Sequence, residues 1–294
     1  MVLKVILNAD DPATANLGEN NQRIYLFQRS SSRPMVDLNK ISRHVDYLLK
    51  PHSLRYLYRP IVDIPNKDIL GYFEYVKAYE SPLSGFQEMS QYASKVDKNK
   101  ELFSVVSNTV ITEFVNSVRE KKFKLFLSVS LIDINYITEV LSQIPRISEC
   151  DLVLVFDEQE INENASDFNA LSSALISLIR SGHQLSLFLK DKDLLLDNEI
   201  YRLFDYFIVG SSMLSEIRKN NRIRLSAYTL IESLMKYKKP IIATDLESWQ
   251  AVELIIESGI SILSSDVVSP VNDMLLPVEK KKMEKLVAMR DKYL

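Results

Sequence analysis

The stretch Tyr58-Arg59-Pro60-Ile61-Val62-Asp63-Ile64-Pro65-Asn66-Lys67-Asp68-Ile69-Leu70-Gly71-Tyr72 decides the fold. Two apolar, strand-like runs, residues 57–64 and 69–76, flank the turn Pro65-Asn66-Lys67-Asp68. So short a connection joins antiparallel strands, because a parallel crossover needs about a dozen residues or more. Beyond residue 76, strand-like runs recur at 123–129, 152–156, 184–189, 206–209, 241–243 and 260–263. Helical spacings fall between most of them, at 100–119, 132–142, 167–179, 226–238 and 246–258. Short apolar strands alternating with longer amphipathic helices imply a mostly parallel sheet covered by helices. Eight strands over about 220 residues fit a closed barrel better than an open sheet. The expected fold is α/β, a modified (β/α)8 TIM-type barrel with an antiparallel first strand and one antiparallel strand pair.

Upstream the pattern differs. Residues 2–8 and 23–28 read as short strands, and Leu38, Ile41, Val45, Leu48 and Leu49 give residues 38–49 a helical spacing. This segment is too small to hold a sizeable core alone. The expected organisation is an N-terminal extension over 1–53 and a barrel over 54–294. Within the extension, Val5-Ile6-Leu7-Asn8-Ala9-Asp10-Asp11-Pro12 is similar to the Asn-Ala-Asp-Asp-Pro stretch of Mur-ligase-type ATP-dependent enzymes. With no phosphate loop beside it, it reads as a polar loop after a strand.

Composition excludes much. Of 294 residues, 46% are hydrophobic and 26% charged, which rules out wholesale disorder. No apolar run approaches the ~18 residues of a membrane helix, and the first residues lack a signal pattern. A net charge of −3 argues against nucleic acid as a partner. The single cysteine, Cys150, permits no internal disulfide and fits a cytoplasmic location. His44, His52 and His183 lack metal-ligand spacing, and the six glycines lie too far apart for a phosphate-cradling loop.

The hairpin is also where a family resemblance begins. Tyr58-Arg59-Pro60-Ile61-Val62-Asp63 followed by Ile69-Leu70-Gly71-Tyr72 resembles the opening of EAL domains, the bacterial cyclic di-GMP phosphodiesterases. Leu127-Ser128-Val129-Ser130, residues 151–158, 182–189 and 205–210, Lys239-Pro240-Ile241-Ile242-Ala243-Thr244-Asp245-Leu246-Glu247 and residues 259–270 resemble later family motifs in order. The resemblance spans about Leu54 to Pro270. It implies acidic residues and an Asn at strand ends that hold divalent metals, with a Lys assisting. This chain departs from that pattern. Phe73 stands for the motif's Glu, Ser128 for the Asn, Val155 for the next Glu, and Phe188-Leu189 for the paired Asp. Ile208 stands for the Lys, Gly210 for the Asp after it, Thr244 for the seventh-strand Glu and Ser264 for the late Gln. Hard metals need oxygen ligands, which apolar side chains do not supply. No catalytic residue, no metal and no cofactor are therefore expected, and the chain reads as no enzyme.

Other polar residues admit plain structural roles. Glu74 and Asp245 are one position out of register and should point away from the site. Asp191 and Asp193 read as solvated or capping charges. Arg59, Lys77, Glu247 and Pro270 stand where the family contacts nucleotide, yet Thr244-Asp245-Leu246-Glu247 also has the form of a helix capping box. His183 and Cys150 read as structural. The first functional expectation is an inactive EAL-like regulator or scaffold in bacterial signalling that binds a protein partner. Its expected contact is a mouth formed by Phe73, Val155, Phe188, Leu189 and Ile208. The alternative is a metal-independent cyclic di-GMP receptor, with an active phosphodiesterase third; a homodimer is left open.

Overall fold

The computed structural model describes residues 2–7, 23–28, 38–50, 52–79, 83, 85–118, 122–163, 168–190, 196–210 and 229–293. The chain divides into two compact units, residues 1–40 and 41–294. In the first, strands β1 (Val2–Leu7) and β2 (Arg23–Gln28) pair antiparallel, from Val2↔Gln28 to Leu7↔Arg23. The Asn8–Pro12 motif lies outside the described residues, as do Asp191 and Asp193.

The second unit is a closed barrel. Its strands are β3 (Leu54–Asp63), β4 (Asp68–Ala78), β5 (Lys124–Ser128) and β6 (Asp151–Asp157). They are followed by β7 (Gln184–Leu189), β8 (Tyr206–Val209), β9 (Ile241–Thr244) and β10 (Ile262–Ser264). The spatial order is β10-β3-β4-β5-β6-β7-β8-β9. The β3–β4 turn closes because Asp63 Oδ1 accepts the Asn66 amide at 3.2 Å while Lys67 takes φ 54°. Strand β3 is antiparallel to β4 and also to β10, and the other neighbours are parallel. The expectation of one antiparallel pair is thereby corrected. In a closed barrel a single reversed strand has two neighbours and opposes both.

Side-chain alternation splits the apolar residues into two layers. Ile61, Phe73, Phe126, Val153, Val155, Tyr206, Ile208 and Ile242 fill the barrel interior. Their sequence neighbours, such as Tyr72, Leu125, Leu127, Leu154 and Phe207, join the larger core shared with the helices. Gly71 marks the tightest approach: a Cβ there would lie 2.2 Å from the Lys124 carbonyl oxygen on β5.

Two helices depart from their expected limits. The stretch 132–142 breaks into a 3-10 turn, Leu131–Asp133, and a helix, Ile137–Ser142. Asp133 is drawn inward, accepting from Ser90 Oγ at 2.9 Å and Asn99 Nδ2 at 3.1 Å, and its burial raises its pKa. Such side-chain bonding competes with a continuous helix. The helix expected from residue 246 begins at Trp249, and its cap is Ser248, whose Oγ accepts the Ala251 amide at 3.3 Å. Thr244-Asp245-Leu246-Glu247 is therefore no capping box. Thr244 ends β9, and Asp245 turns the chain at φ 60°.

Candidate functional site

The C-terminal ends of β4 to β10 and the N-terminal half of the reversed β3 meet at one end of the barrel, where such barrels carry their sites. A cavity of about 470 Å³ opens there. Phe73, Val155, Phe188 and Ile208 line it together. Leu189 does not, because it follows Phe188 on β7 and so faces the helices, fully buried in the outer core. Phe188 fills space that a side chain at position 210 would otherwise take. A Cβ on Gly210 would lie 3.2 Å from the Phe188 ring. Phe188 and Gly210, which are apart in the sequence, thus form one arrangement.

Arg59 is the centre of the polar network. Pro60-Ile61-Val62 continue β3 into the apolar barrel, while Arg59 sits one turn of the pleat nearer the mouth, paired with Phe73. Its side chain is 2% exposed. Nε donates to Ser264 Oγ at 3.1 Å, and Nη2 donates to Thr244 Oγ1 at 2.8 Å and to Asp245 Oδ1 at 2.6 Å. Nη2 also donates to the Tyr75 hydroxyl, and the guanidinium lies over the Tyr75 ring, 4.9 Å from its centroid. Nη1 pairs with Asp266 Oδ1 at 3.3 Å. Burying a guanidinium is costly unless it is paired and hydrogen-bonded, and here both conditions hold. Asp245 meets it because of the left-handed turn after β9, so simple strand alternation misjudged that residue. No local signal links Arg59 to partners some 200 positions away.

Glu74 shares its face of β4 with Tyr72 and Val76, which belong to the core under the helices. It lines the cavity with Lys77, Ser128 and Asp245. Only 5% exposed, it accepts the Ser128 amide on Oε1 at 2.8 Å, while Oε2 has no hydrogen-bond partner. An unmatched buried acceptor of this kind costs about 1–3 kcal/mol. Burial pushes the Glu74 carboxyl up to about 7, against the lowering effect of the bonds from Ser128. Across the mouth, Asp157 pairs with Lys190 at 2.5 Å, and Lys190 lies over the Phe188 ring.

The remaining candidates disperse. Lys77 is exposed at the cavity and makes no ion pair among the described residues. Glu247 and Pro270 are exposed and do not line it. Cys150 and His183 lie at the opposite end of the barrel, in a cavity of about 350 Å³. Burial pushes the Cys150 thiol up to about 12, which makes it a poor nucleophile, and burial lowers the His183 pKa. Among the described residues no group of three or more His, Cys, Asp or Glu is placed to hold a metal ion. No helix among them is long and apolar enough to cross a membrane.

Compared by sequence, the chain matches no protein-family model and no curated protein. Compared by structure, it resembles EAL domains. A MucR phosphodiesterase solved as a cyclic di-GMP complex is 13% identical, covering 83% of this chain and 99% of that one with a TM-score of 0.67. The Xanthomonas citri FimX EAL domain, in complex with cyclic di-GMP, is 14% identical over 82% of this chain and 98% of its own, with a TM-score of 0.63. An EAL domain protein from Listeria monocytogenes is 12% identical over 81% and 95%, with a TM-score of 0.61. At these identities the likeness is one of fold.

Proposed function

We propose that this EAL-like barrel is non-hydrolytic and acts by binding, its mouth making a regulatory contact with a protein partner in bacterial signalling. The Arg59 network carries this reading. Metal-dependent phosphodiester hydrolysis needs oxygen donors free to hold a divalent cation and a water of lowered pKa. At this mouth Arg59, a cation of the chain itself, engages Thr244 Oγ1, Asp245 Oδ1, Ser264 Oγ and Asp266 Oδ1. The neighbouring strand-end positions are Phe73, Val155, Phe188 and Ile208. These residues do not fit a divalent metal. Purified protein with cyclic di-GMP and Mg²⁺ or Mn²⁺ should give no linear product above a no-protein control; turnover would overturn the proposal. Phe188→Asp combined with Phe73→Ser, with the fold checked by circular dichroism, should lose proteins that co-purify with the unaltered chain. Undiminished recovery would place the protein contact elsewhere.

A second reading, a metal-independent cyclic di-GMP receptor, is favoured by the cavity and by Lys77. A volume of about 470 Å³ lies within the usual range of ligand sites, and Lys77 offers an exposed charge for phosphate. A titration in chelator would support it by saturable binding that Lys77→Ala weakens.

A further inference from the structure

Charge at the mouth is unevenly matched. Asp157 is paired with Lys190, and Asp245 and Asp266 are paired with Arg59. Lys77 lines the cavity too, is exposed, and forms no ion pair among the described residues. It shares its face of β4 with Phe73 and Tyr75, which pack in the barrel interior, so it stands beyond them at the rim. Directly opposite it on β3 is Arg55. Like charges placed opposite one another across a strand pair repel, and Asp273 offsets only Arg55, at 3.4 Å. We infer that the mouth binds a small organic acid, a single carboxylate on an apolar body, with the carboxylate paired to Lys77 and the body lying among Phe73, Phe86 and Phe188.

The walls set the character of the body. Phe73, Leu83, Phe86, Val155, Phe188 and Ile208 line the cavity, and its volume of about 470 Å³ suits a small molecule. The other polar groups of the lining are engaged within the chain. Thr244 Oγ1, Asp245 Oδ1 and the Tyr75 hydroxyl accept from Arg59, and the Ser128 amide donates to Glu74. A ligand with many polar atoms would therefore bury groups that find no partner here. One unpaired cation matches one negative charge. A cationic head would meet Lys77 and Arg55 with like sign, and a neutral head would leave their repulsion in place. The inference goes beyond a protein contact at the mouth, because it needs only that the cavity be accessible, and it names a ligand in its own right.

The test uses the full chain and three probes of matched length: 4-phenylbutyrate, uncharged 4-phenylbutanol and 4-phenylbutylammonium, titrated by calorimetry or ligand-observed NMR at neutral pH and low ionic strength. The acid should bind about fivefold more tightly than the alcohol, the scale of an exposed ion pair, and the ammonium should bind most weakly. Lys77→Met keeps the stem without the charge and should bring acid and alcohol within about twofold of each other. Lys281→Met, at an exposed lysine on the helix Lys280–Arg290, should change neither. Phe188→Ala should weaken acid and alcohol alike. Equal binding of acid and alcohol by the unaltered chain overturns the inference, as does no saturable binding of the acid or a preference that survives Lys77→Met. Binding of cyclic di-GMP in chelator without binding of the acid also overturns it, and supports the receptor reading. Recovery of co-purified proteins reports on the protein contact instead, so the two readings fail separately.

Discussion

Arg59 Nη2 on β3 donates to Thr244 Oγ1 on β9 at 2.8 Å, reaching across β10, which lies between those strands in the barrel. The same side chain donates from Nε to Ser264 on β10 itself. One guanidinium therefore ties β3, β9 and β10 together at the seam where the reversed strand meets the parallel set, and through Tyr75 it also reaches β4.

Arg59→Leu should strip Asp245 and Asp266 of their cation and leave two buried hydroxyls unmatched. Breaking a buried pair typically costs about 3–5 kcal/mol. Asp245 is 46% exposed, so water recovers part of this and about 2–4 kcal/mol is expected. Urea denaturation should show a lowered midpoint. Thr244→Val removes one acceptor and should cost about 1 kcal/mol. A Leu variant as stable as the parent would mean the network adds nothing to the fold.

Glu74 should make stability fall as pH rises toward neutrality. Its folded pKa, about 7, lies above the ordinary value of 4.5, so between those values the folded state holds more protons than the unfolded one. Stability from this group is complete below about pH 4.5 and declines as pH climbs through 7, by up to about 3 kcal/mol. Glu74→Gln should flatten that slope, so its advantage over the parent grows from pH 5 to pH 8. Parallel stability curves for the two proteins would contradict the burial of this carboxyl.

Neighbouring residues on β7 should respond differently. Leu189→Ala opens a hole in the core under the helices, and about 2–5 kcal/mol should be lost. Phe188→Ala removes a half-buried ring at the rim and should cost less, about 1–2 kcal/mol by area. Thermal denaturation of the two variants side by side reads the difference.

Two glycines should also separate. Gly71→Ala places a Cβ 2.2 Å from a backbone oxygen that cannot yield without breaking the β4–β5 pairing. A loss of about 3 kcal/mol or more is expected. Gly210→Ala meets only the far edge of the Phe188 ring, at 3.2 Å, and should cost about 1 kcal/mol while shifting that ring. Aromatic NMR shifts of Phe188 with a nearly unchanged melting temperature would be the signature.

What the amino-acid order determined by itself was the architecture. A four-residue turn, a period of two in the strands and a longer period in the helices are local properties, and they were enough to call for a closed barrel with a reversed first strand. Alternation along β7 also carried, unread, the information that Phe188 and Leu189 cannot both face the mouth. What only the tertiary structure decided was the chemistry at that mouth. Barrel closure brings β3 beside β10 and within reach of β9, so Arg59 meets Thr244, Asp245, Ser264 and Asp266, each 185 or more positions away. The left-handed turn at Asp245 undoes the alternation that should have turned it away. Glu74 becomes a buried carboxyl with an idle oxygen because of what surrounds it on β5, not because of its neighbours in sequence. Desolvation and charge pairing depend on distances in space, and those distances exist only once the barrel has closed.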